Sequence, residues 1–485
     1  MTAFMLQGCG SDVGKSVLVA GLCRLYANRG LVVRPFKPQN MSNNAAVTAG
    51  GGEIGRAQAL QALACRAAPT VDMNPVLLKP QSDTDAQLIV RGRMAGSFAA
   101  HAHGESKRAL LAVALESFRL LAREADLVIV EGAGSPAETN LRAHDIANMG
   151  FASAADVPVV LVGDIDRGHV IAQLVGAHAV LGEIDRARIR GFLVNKFRGE
   201  ARLFDEGRRD IARRTGWRDF GLVPWMAAAR RLPAEDAVVL QNAQAANAGA
   251  KRLKIVVPML PRIANFDDFD PLRAEDAVDF HFIPPGTALP GDAALVILPG
   301  SKATIADLAF FRDQGWDIDL AAHLRRGGAV LGICGGYQML GRSICDPLGI
   351  EGRAETVAGL GLLDVETRLT GDKTLKSVSG RLAEGGAAFD GYEMHVGETC
   401  GTEMPLLAFA DGMQDGARAA DGRVMGCYVH GLFARGEFRE SFLARFGAGS
   451  NAQHHAVVVD RALDEIAATL ERHLAVDDWA LVKPK

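Results

Sequence analysis

Cysteine is scarce in this chain, and what there is lies scattered. The seven residues (Cys9, Cys23, Cys65, Cys334, Cys345, Cys400 and Cys427) are odd in number and never spaced C-x-x-C, which excludes a disulfide framework and a structural zinc site. A reducing cytoplasm is the expected compartment. Long apolar runs are missing as well. Stretches such as 157–162 and 293–298 are far shorter than the ~20 residues that cross a bilayer, so they are expected to be buried strands and no membrane partner is expected. The first residues run directly into a glycine-rich loop, with no basic segment followed by an apolar one, so no signal peptide is expected. Positive charge is not in excess: a formal net charge of −4 gives no reason to expect nucleic acid as a partner. Internal repeats and low-complexity tracts are also lacking.

At 485 residues the chain is too long for one ordinary core, and its 48% hydrophobic content supplies ample material for two. Short apolar runs at 4–6, 32–36, 127–130, 159–162 and 191–194 read as strands. Between them, Ala- and Leu-rich stretches at 15–29, 55–67 and 106–122 read as helices. Strands alternating with helices imply βαβ units and a mostly parallel sheet. Residues 241–251 carry no hydrophobic periodicity and are the expected linker. A second α/β series then begins at 254–257, 295–298 and 329–333, and the amphipathic pattern at 458–474 predicts a helix closing it. The expected organisation is therefore α/β throughout, with a phosphate-loop domain at 1–240 and a second α/β domain at 252–485 that ends in a helical tail.

The segment GCGSDVGKS (8–16) follows a strand and opens a helix. Glycines there let successive backbone N–H groups face phosphate oxygens at a helix N-terminus. Gly10, Ser11, Asp12, Val13, Gly14, Lys15 and Ser16 are the expected ATP-binding residues, with Lys15 reaching the outer phosphates and the Ser16 hydroxyl holding Mg²⁺. The loop is one residue longer than the usual pattern, since Cys9 stands where its first glycine belongs. Glu131, ending the buried run 127–130, is the expected second metal residue. Two Lys-Pro-Gln turns add Lys37, Gln39, Asn40 and Asn43 from one segment and Lys79 and Gln81 from another. As a pair flanking the nucleotide loop they suggest binding of carboxylates or phosphates. Asp166 and Arg167 are similarly placed after a strand, and Asn195 is positioned to read a nucleotide base.

In the second half, GICGG (332–336) has the form of a nucleophile elbow with cysteine in place of serine. Small neighbours permit the sharp turn that presents the Cys334 sulfur, and a helix begins at once after it. A thiol nucleophile needs a base. His430, ending an apolar run before Gly431, is the expected partner, while His395 ranks lower as a base and higher for substrate binding. The turn at Gly300 and the N–H of Gly335 are the expected oxyanion donors.

Taken together, FKPQNMSNNA (36–45), MNPVLLKPQSD (73–83), GDIDRG (163–168) and the pair Cys334 and His430 resemble the corrinoid group of glutamine-dependent amidases, the cobyric acid synthases, over nearly the whole chain. The first half is similar to the dethiobiotin-synthetase type of phosphate-loop fold and the second to class I glutamine amidotransferases. The resemblance implies ATP-dependent amidation of the b, d, e and g carboxylates of adenosylcobyrinic acid a,c-diamide through acyl phosphates, with ammonia from glutamine. Its small-molecule partners would be the corrinoid, glutamine and ATP, and its cofactors ATP and Mg²⁺. Two positions depart from the pattern. Leu432 stands where class I amidotransferases carry a Glu that orients the histidine, so the third triad member is absent or comes from elsewhere. His169 stands where the family pattern has a second glycine. A nucleotide switch of the partitioning-ATPase kind is the alternative from another class. It would carry a further lysine where Gly10 stands, and it leaves the Cys/His half without a purpose.

Overall fold

Uninterrupted aliphatic runs make strands buried on both faces, which is the chemistry of a parallel sheet covered by helices. The structure, a computed structural model, describes residues 2–81, 85–99, 104–235, 252–401 and 404–477. The linker expected at 241–251 lies outside them. In the first half, β1 (Thr2–Gly8), β2 (Val33–Phe36), β3 (Leu127–Glu131), β4 (Val159–Asp164), β5 (Ile189–Phe197) and β6 (Arg218–Pro224) form one sheet. Its order is β6-β5-β4-β1-β3-β2, and every neighbouring pair is parallel. The register sets Leu6 beside Glu131 and Asp164 beside Asn195, so these polar residues share the carboxyl edge of the sheet with the loop after β1. That edge is where open α/β sheets bind ligands. Strands Gln39–Met41, Val76–Pro80, Asp85–Val90 and Arg93–Ala99 make a separate four-stranded sheet.

The second half repeats the architecture. Strands β7 (Leu253–Pro258), β8 (Val278–Ile283), β9 (Leu295–Leu298), β10 (Ala329–Ile333), β13 (Ala417–Arg418) and β14 (Val424–Cys427) are ordered β8-β7-β9-β10-β14-β13, parallel except for the last pair. A long hairpin of β11 (Val365–Leu382) and β12 (Ala388–Gly401) stands beside it. The short strand β15 (Val429–His430) pairs with β12, setting His430 opposite Tyr392.

Helix α3 (His455–His473) forms where its periodicity predicts, but the expectation that it closes the second domain is corrected. Its apolar stripe of Val459, Ala462, Leu463, Ile466, Ala467 and Leu470 is buried in the core of the first half, against the helix α1 (Lys15–Asn28) that follows the phosphate loop. Gly21 of α1 permits the close approach: a Cβ there would stand 2.6 Å from both Ile466 Cγ2 and Leu470 Cδ1. Fully buried Arg24 of α1 pairs with Asp460 at 2.5 Å and Asp464 at 3.3 Å, and Ala475 N–H donates to Phe220 of β6. A helical stripe announces that a partner exists; it does not say which surface supplies it. No helix among the described residues is long and apolar enough to cross a membrane.

Replacing Ile466 with Ala is expected to cost about 2–5 kcal/mol, the range for large-to-small changes in a core. Hydrogen exchange checks the location: peptides from α1 and β1 should lose protection while those from β7, β9 and β10 keep theirs.

Candidate active site

The loop between β1 and α1 is shaped by its glycines. Gly14 has φ 91°, in the left-handed region, and a side chain there would overlap the Asn195 amide. Asn195 Nδ2 donates to Val13 O at 2.8 Å, so Asn195 braces the loop from β5. A Cβ at Gly8 would lie 2.8 Å from Lys15 Nζ, which folds back to donate to Gly10 O at 2.9 Å and Gly134 O at 3.2 Å. These carbonyl contacts are the ones phosphate oxygens would replace. Gly10, Ser11 and Asp12 complete the turn, and the Lys196 ammonium caps Asp12 O while pairing with Asp164 at 2.8 Å.

Ser16 Oγ lies 2.8 Å from Glu131 Oε1, and Lys37 Nζ lies 2.9 Å from the same oxygen. Both Lys37 and Glu131 are almost wholly buried. Burial pulls the Lys37 ammonium down, but Glu131 and Glu235 outweigh it and hold Lys37 above its ordinary value. The donors are hard oxygens at a phosphate loop, with a cation already balancing their charge, and they fit a small divalent metal. Glu235, which sequence reasoning missed, also reaches Ser16 and Lys37 from 219 and 198 residues away.

The remaining expected residues divide. Asn40 pairs with Gln58 at 3.0 Å, Gln39 is half-buried, and the buried Asn43 Oδ1 has no hydrogen-bond partner among the described residues. Asp166 is held by Arg198 at 2.7 Å and Arg167 is exposed, both beyond β4. His169, where a glycine was expected, sits at φ 47°, a conformation a side chain adopts only at a cost. The expectation that both Lys-Pro-Gln turns flank the nucleotide loop holds for Lys37 and is corrected for the second. Lys79 instead lines the cavity around Cys334, and Gln81 N–H donates to Asp85 O. Lys79 lies in a different sheet, on the side facing the second half.

Cys334 stands at the elbow between β10 and α2 (Gly335–Leu340), with φ 53° and ψ −111°. The glycine spacing is required sterically: a Cβ at Gly332 would meet Gly336 O at 2.6 Å, and one at Gly336 would overlap Leu298 O. Gly300 presses on the same place, its absent Cβ 3.0 Å from His430 Cε1 and 3.8 Å from Cys334 Cβ, while Gly335 abuts the Ser301 N–H. His430 Nδ1 is 2.6 Å from Asp268 Oδ2, and Gly431 N–H donates to Asp268 Oδ1 at 2.7 Å. Burial alone would lower this imidazolium. Asp268 and then Cys334 outweigh it and hold His430 up at about 10. The third member therefore comes from elsewhere, as Asp268. His395 lines the same cavity, but its ring stacks on Tyr428 at 3.7 Å and its Nδ1 faces Gly397 O, so the histidine paired with Cys334 is His430.

The first half completes this cavity. Lys79 Nζ meets fully buried Glu53 at 2.5 Å, and Lys373 from β11 grips the other oxygen of the same carboxylate. Glu53 is thereby held down at about 2 against its burial. Arg56 pairs with Asp267 at 2.9 Å and donates to Tyr392 Oη at 2.5 Å, and Tyr392 stacks on the His430 ring. Ala45 N–H donates to Asn265 Oδ1 at 3.1 Å.

Residues 4–239 match the CobQ/CobB/MinD/ParA nucleotide binding domain, and residues 254–438 match the CobB/CobQ-like glutamine amidotransferase domain. A protein named cobyric acid synthase from Caulobacter sp. (strain K31) is 67% identical over 484 residues, covering 99% of each chain. Relatives of the same name from Rhizorhabdus wittichii and Novosphingobium aromaticivorans are each 60% identical, covering 98% of this chain and 98% and 96% of their own. The chain belongs to the cobyric acid synthase family. Membership brings the two halves under one activity, that of a glutamine-dependent amidating ligase.

Replacing Asp268 with Asn is expected to slow glutamine-supported turnover by roughly 100-fold or more, while turnover on free ammonia persists. A steady-state comparison of the two nitrogen sources checks this. The raised pKa of His430 also has a sign. Its stabilisation is complete below the unfolded value of ~6.5 and is lost as pH rises through about 10. The stability gap between wild type and Asp268→Asn in urea unfolding should therefore narrow across that window. Glu53→Gln strands the buried Lys79 ammonium and the partly buried Lys373 ammonium and should cost about 3–5 kcal/mol. Lys79→Met should cost less, because Lys373 still answers Glu53.

Proposed function

We propose that this chain amidates the b, d, e and g carboxylates of adenosylcobyrinic acid a,c-diamide to give adenosylcobyric acid. The observation that carries the reading is the pairing, in one chain alike over its full length to proteins named cobyric acid synthase, of a phosphate loop with a buried Cys-His-Asp set. A carboxylate is a poor electrophile, so the first half supplies a leaving group. A substrate carboxylate oxygen attacks the γ-phosphorus of ATP, ADP departs, and an acyl phosphate forms. Gly10 to Ser16 cradle the phosphates, Lys15 neutralises them, and Asn195 reads the base. Mg²⁺ held by Ser16 and Glu131 would supply charge neutralisation at the β- and γ-phosphates. Lys37, beside Glu131, orients the attacked phosphoryl group.

In the second half the Cys334 sulfur attacks the amide carbon of glutamine. The N–H groups of Gly300 and Gly335 take up the charge developing on its oxygen. His430, oriented by Asp268, gives a proton to the departing nitrogen, and ammonia leaves. Water then cleaves the thioester and releases glutamate. Ammonia displaces phosphate from the acyl phosphate to form the amide. Gln39, Asn40, Asn43, Asp166 and Arg167 are the polar groups proposed to meet the corrinoid, and Asn43 is supported by its unpartnered amide oxygen. The free thiols suit a reducing cytoplasm.

Incubating the protein with adenosylcobyrinic acid a,c-diamide, Mg-ATP and amide-¹⁵N glutamine should add four labelled amides stepwise by mass spectrometry. Cys334→Ala should abolish incorporation from glutamine and keep incorporation from ¹⁵N-ammonium. ATP consumption without a labelled corrinoid would place the substrate elsewhere.

A further inference from the structure

Glu235 is the last described residue of the first half before the stretch that leads into the second. Its carboxylate nevertheless stands in the nucleotide site. Oε2 is 2.6 Å from Ser16 Oγ, and Oε1 is 2.8 Å from Lys37 Nζ. Glu131 Oε1 is 2.8 Å from the same hydroxyl. A serine hydroxyl has one proton to give. It serves one of these two carboxylates, and the other faces the hydroxyl oxygen with no proton between them, while Lys37 pairs with both carboxylates. Three hard oxygens thus converge where the loop delivers phosphate, with the two carboxylates sharing the Lys37 ammonium.

The main chain is built to hold Glu235 there. Ser42 Oγ donates to Glu235 O at 3.0 Å and Asn44 Nδ2 donates to Ala234 O at 3.1 Å. The Glu235 side chain is only 17% exposed. A segment whose sole task was to tie off Lys37 would not need the serine of the phosphate loop, because Glu131 already neutralises that lysine.

We propose that Glu235 is a protein ligand of the nucleotide-bound Mg²⁺, joining Ser16 and Glu131. Two carboxylates, a hydroxyl and substrate phosphates make an ordinary magnesium environment. The inference rests on the reading of Ser16 and Glu131 as metal ligands.

The test is calorimetric titration of the full chain with ADP, with and without Mg²⁺, for wild type and Glu235→Gln, together with Mn²⁺ electron paramagnetic resonance of the ADP complex. Wild type should gain ADP affinity from Mg²⁺. Glu235→Gln should lose roughly 10–100-fold of that gain, with metal-free ADP affinity unchanged and the bound Mn²⁺ signal weakened. Glu235→Asp, which keeps the charge on a shorter arm, should fall between and serves if the first variant does not fold. An equal Mg²⁺ gain in wild type and variants would overturn the proposal. So would a variant that binds ADP more tightly with and without metal, since Glu235 would then be an anion that phosphate must expel. No Mg²⁺ effect in wild type would remove the underlying metal reading as well.

Discussion

Glu53 is a carboxylate with no water around it, answered by one lysine from each half of the chain. A buried ion left without its partner is far more costly than a pair. Neither half is therefore electrostatically complete without the other. The same logic recurs a few residues on, where Arg56 of the first half meets Asp267 and Tyr392 of the second. These contacts are concentrated at the glutaminase cavity: Lys79 is part of its wall, and Tyr392 covers one face of the His430 ring. Cys334 and His430 belong to the second half, but the cavity around them is finished by the first.

The chain reinforces that docking by its path. After the second half is complete it crosses back, and α3 lays its apolar stripe along α1, directly behind the phosphate loop. Arg24 is fully buried there, with Asp460 and Asp464 as its ion partners. The helix that starts at Lys15 is thus packed on one side by its own sheet and on the other by the C-terminal end of the chain. Separating the two halves would strip α1 of that second surface.

What was legible in the sequence was local. The phosphate loop and the cysteine elbow announce themselves because steric need fixes glycines at short spacings, as Gly14, Gly332 and Gly336 show. Parallel sheets were legible because their strands are apolar on both faces. What was not legible is long-range. Asp268 belongs to a run with Asp267 and Asp270, and the three go separately to His430, Arg56 and Arg273. Nothing in the run itself says which carboxylate meets the histidine. Glu235 and the surface chosen by α3 were hidden for the same reason. Lys79 shows the opposite failure: a repeat of Lys-Pro-Gln suggested one shared site, and the fold carries the two copies to different ones.

The stretch from Lys37 to Ala45 gives the two sites a common part. Lys37 stands in the nucleotide site, Ser42 and Asn44 hold Glu235 and Ala234, and the N–H of Ala45 is accepted by Asn265, which lines the cavity around Cys334. So short a segment, hydrogen-bonded at both ends, links the sites without a hinge between them. The cavity around Cys334 also gathers positive charge. Lys79, Lys302 and Lys373 line the cavity around Cys334, and burial together with the other two lysines pulls Lys302 down to about 8. An amine in a dry site facing like charge is driven toward its neutral form. The lysines that close the two halves around Glu53 therefore also set the charge of the cavity wall beside Cys334.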